Sequence, residues 1–275
     1  MTVVILILMM LFLNGYLARL DKNGPEKTKG LGFRRHRKSI EALPFDHISH
    51  ELLVRYVEFY VRLPNHHQIQ FRKDAAWFLS NTRIVGEGWE VDQLSEHLVA
   101  ASAIIPIFHF EEWNSYELDE VLLLRSSFNF NLETDKDDSL ILGMVGTGVL
   151  EGKMILSAEA LHEGFINPGD MHNVGIHEFV HLLDKADGRI DGLPKSLISH
   201  SYSLPWIQLI RYKMELTRQG QTEINPYGGL NLAEFLSITS EYFFENPEGF
   251  RKNHPELFEQ MDKMFRGKLK EMPAA

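Results

Sequence analysis

His177-Glu178-Phe179-Val180-His181 is the segment that most restricts what this chain can fold into. On an α-helix, positions i and i+4 share a face, so the two imidazoles stand together while Glu178 is turned to one side of them. Ile176, Phe179, Val180, Leu182 and Leu183 supply apolar side chains for the other faces, a pattern that buries a helix. Asp170 is a plausible N-cap and Asp187-Gly188 a stop signal, so a helix is predicted over 170–186. The fold must enclose this helix and leave its His/Glu face room for a cation.

The chain has 275 residues and no cysteine. Thiolate zinc clusters, iron–sulfur sites, disulfide scaffolds and thiol nucleophiles are therefore excluded, which leaves imidazole, carboxylate and hydroxyl chemistry. Two His at this spacing with a Glu between them form the HExxH arrangement. There a zinc ion polarises a scissile carbonyl and lowers the pKa of its water, and the Glu takes the proton and passes it to the leaving amine. A catalytic zinc usually has three protein ligands, so a third must be found. Asp187 lies six residues after His181, but a ligand there needs the helix to break at Asp184, and Asp184 gives no reason to break. The stretch 232–244 offers Glu234 and Glu241 instead. They are almost two turns apart and so point the same way. Spacing leaves either one as the ligand, with the other a support or a solvated residue. Asp184, one turn beyond His181, is placed to orient a ligand imidazole.

Residues 47–110 read as a helical layer. Leu52, Leu53, Tyr56, Val57, Tyr60 and Val61 recur at three- and four-residue spacing, and 75–79 and 98–107 carry similar apolar sets. The period then changes. Short apolar runs at 121–124, 140–142 and 154–156, separated by Asp, Gly and Asn, predict strands of a small sheet. Among them Lys153–Ser157 is either a candidate edge strand for holding a peptide by main-chain pairing or an interior strand. Residues 133–139 predict a surface loop, and helical patterns return over 205–219 and 232–245. The fold class is α+β, with helices on one side of a short sheet.

Residues 3–13 are uninterrupted apolar. Tyr16, Leu17 and Ala18 extend the run to roughly 18 residues, about 27 Å of helix, just enough to span a bilayer. Residues 1–18 carry no charged side chain, whereas 19–38 hold eight basic and two acidic ones. This asymmetry predicts a single anchor with residue 19 onward in the cytoplasm. A signal peptide cleaved near Ala18 and a peripheral or buried helix are the alternatives. The net charge of −10 leaves 20 basic and 36 acidic residues for 39–275. A body that acidic repels phosphate backbones, so direct nucleic-acid binding is not expected.

Three segments taken together carry a resemblance: Gly175 through Gly188, Asp191-Gly192-Leu193-Pro194, and Tyr227 through Ala233-Glu234-Phe235 to Ser240-Glu241-Tyr242-Phe243-Phe244. They resemble the Mlc titration factor A family of bacterial zinc metallopeptidases, whose catalytic region is similar to that of anthrax lethal factor. The likeness covers most of 50–255 and excludes the N-terminal segment. It implies a zincin-like metallopeptidase domain with one zinc per chain held by His177, His181 and Glu234. It also implies Glu178 as general base and Tyr227, seven residues before the third ligand, as stabiliser of the transition state. Gly228-Gly229 predicts that the Tyr227 loop is flexible. The implied activity is peptide-bond hydrolysis, as an aminopeptidase or an endopeptidase on short or unfolded substrates. A second implied reading is an interaction protein that sequesters a transcriptional repressor of sugar uptake, with catalysis secondary.

The expected organisation is a transmembrane anchor over 1–18, a basic linker over 19–45, a helical part over 46–115 and the zinc metallopeptidase part over 116–275. Residues 46–275 are also compatible with one compact domain. The expected location is the inner membrane with the catalytic body facing the cytoplasm, or the cytoplasm itself if the first segment is not inserted.

Overall fold

The computed structural model describes residues 34–36 and 44–266, apart from 111, 115, 135, 137, 139, 195, 196 and 199. The expected anchor over 1–18 and most of the 19–45 linker lie outside the described residues, and the described part of that linker, Arg34–His36, is a strand paired antiparallel with Glu112–Asn114 instead of plain linker, too short a stretch to show a period of its own. Among the described residues no helix is long and apolar enough to cross a membrane.

The elements in chain order are β1 (Arg34–His36), α1 (His50–Tyr56), α2 (Glu58–Val61), α3 (Asn65–Asn81), β2 (Arg83–Gly86), α4 (Gln93–Ile104), β3 (Glu112–Asn114) and β4 (Glu120–Leu124). They continue with β5 (Gly143–Val145), β6 (Lys153–Ser157), α5 (Ala158–Ile166), α6 (Val174–Lys185), α7 (His200–Arg218), α8 (Leu232–Glu245), α9 (Pro247–Asn253) and α10 (Pro255–Phe265). A small sheet among many helices is the α+β architecture that the change of period predicts.

The sheet has the order β2-β4-β6-β5, parallel except for the β5–β6 pair. Side chains alternate between its faces. Val121, Leu123, Met154, Leu156 and Val145 join the main core, which runs from Ile48 to Phe265, whereas Leu122, Leu124, Ile155 and Met144 close a smaller cluster with Phe128, Leu132 and Leu150. The helices cover the first face. Their starts are set by short polar side chains that accept otherwise unpaired N–H groups. Asp92 accepts from Ser95 N–H at 2.7 Å, Ser157 from Ala160 N–H at 3.2 Å and Asn231 from Glu234 N–H at 2.9 Å.

Four expectations need correction. The region read as wholly helical contains β2, which pairs in parallel with β4; a four-residue strand between helices is too short to display its own period. The strand expected at 140–142 lies at Gly143–Val145, and Ile141 makes only an isolated bridge to Phe128. Of the two readings of Lys153–Ser157 the edge strand is the one set aside: it is interior, flanked by β4 and β5, as its continuous apolar run suits, and among the described residues β5 is the edge. The helix predicted over 170–186 starts later, at Val174. Met171 has φ 64°, which closes a turn that Asp170 stabilises by accepting His172 N–H at 3.0 Å, so Asn173 takes the cap and accepts Ile176 N–H at 3.0 Å.

Candidate metal centre

The helices α6 and α8 pack against each other and place three side chains at one point. His177 Nε2 lies 3.0 Å from His181 Nε2 and 3.2 Å from Glu234 Oε2, and His181 Nε2 lies 3.6 Å from Glu234 Oε1. One potential ligand atom from each of His177, His181 and Glu234 falls within 4.8 Å of the others, the single such group among the described residues. Two imidazole nitrogens and one carboxylate oxygen suit a divalent transition ion with an open coordination position.

The same helix that carries Glu234 also holds the backs of both imidazoles. Glu241 Oε1 accepts from His177 Nδ1 at 2.7 Å, while its other oxygen accepts the Asn173 N–H at 2.6 Å, just before α6 begins. Ser237 Oγ lies 3.2 Å from His181 Nδ1. With Nδ1 engaged in each ring, both Nε2 atoms are left to face the point where they converge with Glu234. Glu234, Ser237 and Glu241 are spaced three and four residues apart and so form one stripe of α8. The Asn231 cap fixes the first turn of that stripe.

Charge follows this packing. Burial alone would raise the Glu234 carboxyl, but its contacts with His177 and His181 bring it down to about 2. Burial lowers the His177 imidazole, and its hydrogen bonds with Glu234 and Glu241 more than reverse that, leaving it well above the ordinary histidine value. Glu178 is 6% exposed; burial raises its carboxyl against the opposing pull of the two imidazoles. Gly143 of β5 packs against its side chain.

Tyr227 is half exposed, in the 3-10 turn Pro226–Gly229, where Asn225 Oδ1 accepts its N–H at 3.0 Å. Burial of part of the ring, and then the negative charges of Glu234 and Glu178, raise its phenol above the ordinary value. The flexible loop predicted from Gly228-Gly229 is a packed turn. Both glycines are buried, and Gly229 O accepts from Arg218 Nε at 2.5 Å.

The remaining acidic candidates are placed elsewhere. Asp187 is exposed, accepts Arg189 N–H at 3.2 Å and stands apart from the metal group. Asp184 is buried but does not bond His181. Its Oδ2 accepts Gly192 N–H at 2.7 Å, its Oδ1 has no hydrogen-bond partner, and burial raises the carboxyl to about 6. Through Gly192, Asp184 instead ties the end of α6 to the start of α8. A Cβ on Gly192 would lie 2.5 Å from Leu232 C and O, and Trp206 Nε1 donates to Gly192 O at 2.9 Å. Sequence reasoning missed Ser237, Asn173 and Gly143. The three-residue step from Glu234 to Ser237 is the one signal that pointed to any of them.

Residues 32–266 match the family described as glucose-regulated metallo-peptidase M90. A protein of Cronobacter sakazakii named Mlc titration factor A is 28% identical over 217 residues, covering 72% of this chain and 80% of its own length. The protein of the same name from Salmonella gallinarum is 27% identical over 201 residues, covering 69% and 75%. An uncharacterized protein of Synechocystis is 34% identical over 101 residues, a shorter match covering 35% and 36%.

Proposed function

The chain belongs to the glucose-regulated metallo-peptidase M90 family, and from that premise we propose that it hydrolyses peptide bonds with one zinc ion held by His177, His181 and Glu234. The observation that carries the reading is the convergence of those three ligand atoms within 4.8 Å, directly beside the buried carboxyl of Glu178. When bound, zinc supplies Lewis acidity toward a carbonyl and toward water. The protein's own groups do the rest. Glu241, an acceptor, fixes the tautomer of His177, and Ser237 orients the ring of His181 through its Nδ1. Glu178 accepts a proton at its carboxylate and returns it to the leaving amine, a task favoured by the upward shift that burial gives it. Tyr227 keeps its phenolic proton because its surroundings raise the phenol, so it remains a donor to the oxyanion that develops on the carbonyl.

The free edge of β5 borders Glu178 and is the strand we assign to an extended substrate, in place of Lys153–Ser157. An open edge of three residues beside the base suits short or unfolded peptides. Both an aminopeptidase and an endopeptidase fit it. The shared core from Ile48 to Phe265 supports treating the body as one compact unit, to which we assign a 1–18 membrane anchor joined by a basic segment that ends before the paired strand Arg34–His36, with the body facing the cytoplasm.

The test is Glu178→Gln in the zinc-loaded protein, assayed on internally quenched peptides and aminoacyl-nitroanilides. The variant should keep one zinc per chain and lose hydrolysis. Absence of turnover by the wild-type protein on both panels would overturn the peptidase reading. The name shared by the Cronobacter and Salmonella relatives favours a second reading, sequestration of a regulator. A regulator-dependent phenotype that survives Glu178→Gln would favour it.

A further inference from the structure

The contact between β5 and α6 is closer than two side-chain-bearing elements allow. A Cβ built at Gly143 would lie 2.6 Å from Glu178 Cγ, 2.7 Å from Glu178 Oε1 and 2.8 Å from Val174 Cγ2. All three distances are well inside van der Waals contact. Gly143 is not among the glycines with positive φ, so its backbone conformation is open to any residue, and the requirement for glycine comes from proximity alone.

The pairing register adds a second observation. Ser157 N–H donates to Leu142 O at 2.7 Å and Gly146 N–H donates to Lys153 O at 2.8 Å. Residues 142 and 146 therefore face β6, and in an antiparallel ladder the intervening alternation turns the N–H and C=O of Gly143 and Val145 the other way, toward the free edge. At Gly143 one residue thus combines outward main-chain groups with direct contact against the Glu178 side chain.

From this geometry we propose that Gly143 is a positioning residue for catalysis. Its bare Cα lets the edge strand press against the Glu178 side chain and holds that carboxylate beside the strand, where an attacked peptide bond would lie. The inference rests on the reading of Glu178 as the base. An added methyl group displaces the Glu178 side chain, since that flexible group yields more readily than backbone. The close atoms at Gly143 belong to Glu178 and Val174 and not to a metal ligand, and the rings of His177 and His181 stay held from α8 by Glu241 and Ser237.

Gly143→Ala in the full chain tests this. The expected result is one zinc per chain, kcat at least tenfold lower, and KM changed less than threefold. Adding Val174→Ala, which removes one of the three close contacts, should recover at least threefold in kcat. Wild-type kcat in Gly143→Ala, or loss of zinc in parallel with kcat, would overturn the proposal. Crystal structures of the wild-type protein and the Gly143→Ala variant give an arm that needs no activity. A Glu178 carboxylate in a changed rotamer supports the proposal, and an unmoved one sinks it. An inactive wild-type protein whose variant structure shows the displaced carboxylate would count against the peptidase reading alone.

Discussion

Glu234 and Glu241 are chemically identical and share one stripe of α8, yet their surroundings give them different work. Glu234 meets the two Nε2 atoms and is held near a pKa of about 2. Glu241 meets the opposite nitrogen of His177 and the main chain at Asn173, with both oxygens used. Removal of a ligand abolishes a three-ligand site, whereas loss of an orienting partner lowers metal affinity about 10–100-fold. Glu234→Ala should therefore emerge from dialysis without zinc, and Glu241→Ala should retain it but yield it to a chelator at a lower concentration than wild type. A zinc-replete Glu234→Ala alongside a zinc-free Glu241→Ala would reverse the two roles. Residue spacing alone could not choose between them, because both point the same way and only the facing helix distinguishes front from back.

At the scale of elements, the site is a junction of α6, α8 and β5, and its precision depends on how those pieces are tied. Gly192 is one tie, held by Asp184 from α6 and by Trp206 from α7, with its Cα against the first residue of α8. Its φ of 74° lies in the left-handed region, where a side chain costs about 1 kcal/mol even in open space. Here the space is filled by backbone. Gly192→Ala should lose more than that in urea unfolding and should also bind zinc less tightly, since the turn carrying Glu234 is pushed away; unchanged stability would contradict the tie. Elements were unequally legible. The span of α8 and the existence of α6 could be read because long apolar periods leave a pattern. The strands β2 and β5 could not, because three or four residues hold less than one informative repeat and are defined by the partner they pair with. The true cap of α6 was hidden for a related reason: Asp170 and Asn173 are both good caps, and a left-handed Met171 decided between them.

Across the whole molecule, one core joins the N-terminal helices to α6 and α8: α4 packs on α6, with Ser102 against Gly175, and the last turn of α8 is a second meeting point. Arg62 donates to Phe244 O at 2.6 Å and Glu245 O at 3.5 Å, which satisfies the end of α8 from the N-terminal layer. The Glu245 side chain beside it is buried, with one oxygen unpartnered. Burial, opposed by the Asn173 hydrogen bond and reinforced by the charges of Glu241 and Asp170, raises its carboxyl from 4.5 to about 8. The folded protein thus keeps a proton that the unfolded chain releases above pH 4.5. This contribution to stability is complete below that pH, declines through the window up to about 8, and is flat beyond it, with a slope of up to roughly 1.4 kcal/mol per pH unit. Urea unfolding at pH 5, 6.5 and 8 should show that decline reduced in Glu245→Gln; an identical pH dependence in both proteins would refute it. The sequence by itself determined the α+β class, the family and the histidine-carboxylate character of the centre. The class and the character follow from helical periodicity and its change to short apolar runs, from the absence of cysteine and from the i, i+4 placement of two imidazoles, while the family follows from the resemblance carried by three short segments. Only the tertiary structure decided which carboxylate faces inward, that Ser237 and Glu241 stand behind the imidazoles, and that a glycine on the sheet edge touches Glu178. Each of those is a contact between segments tens of residues apart, and no local pattern records which atoms meet when two helices and a strand pack.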